Sequence, residues 1–438
     1  MPFLPPDHPQ RRAMADEVHA RPPETMLTPS RATHVAVLVD GGERDAEQQH
    51  LAALFRHFGA DLPAADATHL SLPLGPLRLK WERHGEFSGY TFIAEGTADG
   101  AFAETAAQLL PAGWLAAVPG RTMMAAHALL LAGPGGGAST EQLALWFGAG
   151  AVTIGSQVVG GAGCAYTDFR VHADRCSRFV LLDNGLTPRQ AGRVMQRLFE
   201  IEVYRLLALL ALPIAQALSP RVVAIESALA GLTSGIAQED GREEALLHEL
   251  TRLAAEVEQG LSSSQYRFGA CRAYSQLVAT RIAELRESRL PGLQTIDEFM
   301  ARRFSPAVAT CSTVSQRLHD LSERVAQASS LLATRVGIAR ERQNQALLAS
   351  MDRRARLQLR LQQTVEGLSV AAIAYYAVGL FGYLAKAGKA AGLPIDADLV
   401  AGLAVPLLAG TVYLALRRAR RALHAEETVH AVDAASGR

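Results

Sequence analysis

Nine of the thirteen histidines precede residue 175, and two of them stand among carboxylates. WERHGE presents Glu82, His84 and Glu86 at alternate positions, and DFRVHAD presents Asp168, Arg170, His172 and Asp174. Imidazole flanked by carboxylate is a donor set that zinc or manganese accepts. His84, Glu86, His172 and Asp174 are therefore candidate ligands for a divalent cation, and a metal-dependent cytoplasmic enzyme is the chemistry they would serve. Alternate residues of a strand share a face, which would put Asp168, Arg170, His172 and Asp174 opposite Ala165, Thr167, Phe169 and Val171. The spacing is not the tight pattern of a zinc site, and a solvated hairpin edge accounts for the same residues.

A second concentration of polar chemistry lies in the first 31 residues, where Glu17, His19, Arg21 and Arg31 stand between prolines. Arginine with histidine holds a phosphate or carboxylate through charge-assisted hydrogen bonds. The same side chains would also tie an irregular arm to a domain surface. The glycine-rich stretches carry less. GPGGGAST (Gly133 to Thr140) has no phosphate-binding lysine, and FGAGAVTIGSQVVGGAG lacks GxGxxG spacing. HExxH, GxSxG and kinase signatures are absent, so no residue is named as catalytic and no cofactor is indicated.

The elements that would position these residues divide the chain into five parts. After the arm (1–31), residues 32–186 read as an α+β domain. THVAVLVD (Thr33 to Asp40) is a strand, Glu43 to Gly59 an amphipathic helix, and Leu77 to Glu95 a hairpin with Leu77, Leu79 and Trp81 alternating against Arg78, Lys80 and Glu82. A helix over Ala101 to Leu110 follows. An apolar run from Thr122 to Leu131, a capped helix from Ser139, strands through Asp183 and a helix from Thr187 then repeat the order. The two hairpins align without gaps at a spacing of 88 residues, laying Trp81 over Phe169 and His84 over His172. A duplicated β-α-β-β-β-α unit is the expectation.

From residue 187 to 364 the chain reads as helical, with breaks near Gly235, Gly241 and Gly260 and a short helix at IDEFMARRF. No proline separates Pro306 from Pro394, and Val314, Leu318, Leu321, Val325, Ala328 and Leu332 recur at heptad spacing. That predicts a coiled-coil stalk, about 120 Å long if continuous over about 80 residues.

Residues 365–416 then read as a transmembrane hairpin. Gly367 to Ala385 and Leu399 to Leu416 carry no charge, each about the length needed to cross hydrocarbon. Arginines precede the first span (Arg353, Arg354, Arg356, Arg360) and follow the second (RRARR, Arg417 to Arg421, within a basic tail of 417–438), which places both termini in the cytoplasm. Gly402, Pro406 and Gly410 line one face of the second span and allow close helix approach. On the first, a heptad stripe selects Gln362, Glu366, Ser369 and Tyr376, with Ile373, Leu380 and Tyr383. Such polar groups either face a partner helix or a water-filled path, or anchor the helix at the headgroups.

Charged residues are 20% of the chain and cancel to zero, which excludes a generally basic nucleic-acid binder. Four scattered cysteines (Cys164, Cys176, Cys271, Cys311) fit reduced thiols in cytoplasm.

DHPQRRAMADEVHARP, TPSRATHVA, KWERHGEFSGYTF, YTDFRVHADR, LTPRQAGRVMQRLFEIEVYR and QQTVEGLSVAAIAYYAVGLFGYL resemble a bacterial family of membrane-anchored proteins with a domain of unknown function. The resemblance covers nearly the whole chain and implies an inner-membrane location without implying a reaction. The architecture is also similar to CorA-type two-span magnesium channels, but the Gly-Met-Asn signature of that family is missing where this chain reads GLFGYLAKAG. The reading that emerges is a membrane-anchored, self-associating protein whose cytoplasmic part binds a partner or ligand. A CorA-like divalent-cation channel, with Gln362, Glu366, Ser369 and Tyr376 facing the pore, is the alternative to it and to the metal enzyme.

Overall fold

The computed structural model describes residues 4–12, 14–15, 22–64, 67–97, 101–237, 243–392, 399, 402–403, 405–415 and 418. The chain falls into two compact units, residues 1–332 and 333–438.

The first unit is built on a nine-stranded sheet in the order β2-β3-β4-β1-β5-β8-β7-β6-β9. Its strands are β1 (Ser30–Leu38), β2 (His69–Leu74), β3 (Leu77–Arg83), β4 (Phe87–Glu95), β5 (Arg121–Ala132), β6 (Ile154–Val158), β7 (Gly163–Thr167), β8 (Ser177–Asp183) and β9 (Ser288–Arg289). One face is covered by α1 (Arg44–Phe58) and α2 (Thr140–Phe147). Alternation selects what that face buries: Leu77, Leu79 and Trp81 of β3 and Tyr90, Phe92 and Ala94 of β4 meet Leu51, Leu54 and Phe55 of α1. Cys164, Tyr166, Val180 and Leu182 meet Trp146 and Phe147 of α2. The other face carries α3 (Pro188–Leu209), packed on β5 and β8. Thr187 and Gln190 close a capping box at its start, with Pro188 at the first turn.

The repeated element order is present, and so is a mirrored strand order running outward from the centre, 1-4-3-2 and 5-8-7-6. The geometry is not repeated. β1 pairs β4 antiparallel, whereas β5 pairs β8 parallel, so the halves are not superposable copies. The hairpins differ too: β3 and β4 are joined through residues 84–86, but β7 ends at Thr167 and β8 begins at Ser177. The strand expected through Asp174 is therefore a loop. Its side chains compete with the ladder: Phe169 N–H donates to Thr167 Oγ1 (3.1 Å), Arg170 N–H to Asp168 Oδ1 (3.2 Å) and Cys176 N–H to Asp174 Oδ1 (3.0 Å). Phe169 (φ 50°) and Arg175 (φ 65°) adopt left-handed backbone incompatible with a strand. The helix expected over Ala101 to Leu110 is likewise reduced to a 3₁₀ turn, Ala106–Leu109, because Thr105 is extended and caps it.

Among the described residues the chain continues through helices α4 (Ala211–Ala237), α5 (Glu243–Leu285), α6 (Ile296–Arg303) and α7 (Ser305–Ala390). α5 packs on both α3 and α4. It runs straight through Gly260, where a break was expected; a Cβ there would lie 3.2 Å from Leu318, so the small residue admits the neighbouring helix. Within the first unit the heptad stripe Val314, Leu318, Leu321, Val325, Ala328 and Leu332 of α7 is buried throughout. Arg317 pairs with Glu226 of α4 beside it.

In the second unit α7 continues with its apolar side chains outward. Leu357, Leu361, Leu368, Tyr375, Tyr376 and Tyr383 are all exposed. Among the described residues two helical stretches are long and apolar enough to cross a membrane. One third of the apolar window of Pro188–Gly235 is buried in the protein; none of that of Ile296–Ala390 is. A shorter apolar helix, Val405–Ala415, lies in the second run.

Candidate functional site

The alternation that buries Trp81 turns Lys80 and Glu82 to the opposite face, beneath α3. Register aligns them with partners on neighbouring strands. His34, Thr91 and Lys80 stand directly across from one another on β1, β4 and β3, and Ala36, Gly89 and Glu82 form the adjoining row. α3 lays Gly192, Met195, Gln196, Phe199, Glu200 and Val203, one helical face, over these rows. Between sheet and helix is a cleft of about 400 Å³, within the size range of small-molecule sites.

Space comes from small residues. Gly89 has no side chain where a Cβ would lie 3.3 Å from His34. The rim is the segment carrying Pro23, Glu24 and Met26. It is seated on α3 because Gly192 admits its backbone: a Cβ there would collide with the Glu24 carbonyl, and Met26 N–H donates to the Pro188 carbonyl (3.0 Å).

The polar groups form a connected set. Lys80 Nζ lies 3.1 Å from Glu82 Oε1 and donates to Gln196 Oε1 (3.2 Å). Gln196 Nε2 donates to Glu200 Oε1 (2.7 Å), and Glu200 also binds Arg197 and Arg281 of α5. His34 shares a hydrogen bond between Nδ1 and Thr91 Oγ1 (2.8 Å) and stacks on Phe199 at 5.0 Å. Its Nε2 makes no hydrogen bond among the described residues. Burial, then the charge of Lys80, then His84, pushes the imidazole pKa down to about 3, so it lines the cleft as a neutral group. Replacing a buried ion pair by apolar residues of similar volume is often neutral or stabilising by roughly 1–4 kcal/mol. A polar floor under a core helix is thus not explained by stability.

Two other buried carboxylates sit in hydrogen-bonded networks of the protein. Glu47 of α1 accepts from Tyr90 O–H (2.8 Å) and Trp81 Nε1–H (3.2 Å) and pairs with Arg44. Glu202 accepts from Arg205 Nε and Nη2 at 2.8 and 2.7 Å. His127 meets Thr33 at 2.9 Å, its pKa lowered chiefly by burial.

Of the residues singled out from sequence, His84 lies in the cleft, stacked on Phe87 at 4.3 Å. Glu86 is bound by Arg267 and Tyr266 of α5. His172 Nε2 lies 3.1 Å from Asp168, and Asp174 faces Arg178 at 3.7 Å. Among the described residues no three His, Cys, Asp or Glu side chains are grouped to hold a metal. Arg31 donates to the Gly96 carbonyl (2.8 Å) and faces Glu104 at 3.8 Å; Glu17, His19 and Arg21 lie outside the described residues. Gln362, Ser369 and Tyr376 of α7 are exposed and Glu366 is half-buried, Ser369 turning its hydroxyl to the Val365 carbonyl (3.0 Å). Gly402 and Pro406 are exposed and Gly410 half-buried. Sequence reasoning missed His34, Gly89, Thr91, Gln196 and Arg281. A signal was available in the Arg78, Lys80, Glu82 alternation, which marks a polar face without showing that a later helix covers it.

Over residues 6–423 the chain matches the model of a family described as "Protein of unknown function (DUF3422)". No curated protein and no solved structure matches it.

Proposed function

The chain belongs to this family of unknown function, and from that premise we propose that it is a membrane-attached protein whose sheet-bearing unit binds a small molecule in the cleft beneath α3. The observation that carries the binding reading is the row His34–Thr91–Lys80, set under a core helix beside an open 400 Å³ space. Membrane attachment is supported by the uncharged helical run Gly367 to Ala385, whose large apolar side chains Leu368, Ile373, Tyr376, Leu380, Tyr383 and Leu384 are exposed. Nineteen residues of helix extend about 28 Å, close to the hydrocarbon thickness. The flanking arginines favour both ends in the cytoplasm of a bacterial inner membrane, and Gly402, Pro406 and Gly410 favour self-association of the spans.

Ligand-observed NMR on the full chain in nonionic detergent, with a library of compounds of up to about 20 heavy atoms, tests the binding reading. Binders should be lost in Gly89→Val, a β-favouring substitution whose methyl groups occupy the cleft, provided circular dichroism shows the fold intact. Binders that ignore the substitution, or a library with none, would contradict it.

A further inference from the structure

The cleft's wall also specifies what kind of molecule it takes. Two opposite charges stand side by side on the floor, and both are incompletely used. Lys80 has three N–H donors; it donates one to Gln196 and pairs with Glu82 by charge at 3.1 Å. Glu82 places one carboxylate oxygen on Lys80, and its second oxygen has no hydrogen bond among the described residues. The side chains are only 7% and 14% exposed, so a ligand group meeting them does so with little screening by water.

Around this dipole the lining is charge-balanced: Lys80, Arg197 and Arg281 against Glu24, Glu82 and Glu200. A ligand with net charge would enter with no counter-charge left for it, and an uncompensated buried charge is strongly unfavourable. Met26, Ile93, Met195, Phe199 and Val203 supply an apolar remainder.

Resting on the reading of the cleft as a ligand site, we infer that its ligand is a small apolar zwitterion, such as an apolar amino acid or short peptide. Its carboxylate accepts from a remaining Lys80 N–H, its ammonium donates to the second Glu82 oxygen, and its side chain lies against Phe199 and Met195. Neutral His34 offers Nε2 to the same polar edge without disturbing the charge balance.

The test is calorimetric titration of the full chain in nonionic detergent with four probes: L-phenylalanine, its methyl ester, its N-acetyl derivative and the doubly blocked N-acetyl methyl ester. The zwitterion should bind, and loss of either charge should weaken binding tenfold or more, since a hydrogen bond to a charged group is lost. Lys80→Gln should abolish the preference over the methyl ester alone, and Glu82→Gln the preference over the N-acetyl form alone. If either variant fails to fold, the four-probe series on the unaltered chain decides. A blocked form within threefold of the zwitterion overturns the inference. So does silence of all four probes while a library compound binds in a Gly89-sensitive way; in that case the cleft remains a ligand site and only the ligand class is rejected. Silence of both sets rejects the two together.

Discussion

Replacing His34 by glutamine should remove a specific pH dependence from folding. The imidazole has an ordinary pKa of 6.5 when unfolded and is held to about 3 in the native chain. The unfolded state therefore binds the proton first as pH falls, and native stability is full above pH 6.5 and declines towards pH 3. Each pH unit between those limits costs about 1.4 kcal/mol. From pH 7 to pH 5 the loss attributable to this one group is about 2 kcal/mol. Carboxylates titrate in the same interval, so the quantity to measure is a difference. Chemical denaturation of wild type and His34→Gln in detergent should be compared at pH 7, 6 and 5. Glutamine keeps a hydrogen bond to Thr91 within reach and carries no charge at any pH. The account expects wild type to lose about 2 kcal/mol more than the variant between pH 7 and pH 5. A difference that stays constant across the series would show that His34 is not held neutral by burial and by Lys80, and the electrostatic description of the cleft would fail with it.

Three further outcomes follow. Glu47→Ala leaves Trp81 Nε1–H and Tyr90 O–H without their acceptor and Arg44 without its counter-charge and should destabilise by about 3–5 kcal/mol, Glu47→Gln by less, both read from denaturation midpoints. Leu318→Ala opens a cavity opposite Gly260 and should cost about 2–5 kcal/mol. Leu357→Ala, on the exposed part of the same helix, should stay within about 0.5 kcal/mol. Metal analysis of the purified chain and of His84→Ala with His172→Ala should give the same content, since Glu86 and Asp174 already face arginines; metal lost on substitution would restore the metal-ligand reading.

Period and capping made much of the fold legible. Alternation in LRLKWER placed Trp81 in the core, Thr187-Pro188 marked the start of α3, and heptad spacing from Val314 to Leu332 marked a buried stripe. Three features were not legible, each for a tertiary reason. The direction of β8 beside β5 is set by which strand ends the connecting chain can reach, so identical element order gave different geometry. The loop 168–176 depends on Thr167, Asp168 and Asp174 turning inward to their own backbone, which alternation cannot reveal. The cleft itself joins β1, β3 and β4 to α3, with Lys80 and Gln196 standing 116 residues apart, through register and the absence of side chains at Gly89 and Gly192.

The most direct measurement of the membrane assignment is flotation of the full chain with lipid vesicles after alkaline carbonate washing, beside a variant carrying Ile373→Arg and Leu380→Arg. Helix 367–385 in hydrocarbon predicts that wild type floats and yields a protease-protected fragment spanning those residues, while the double arginine variant does not insert. Wild type that washes off into the aqueous fraction, with no protected fragment, would contradict it.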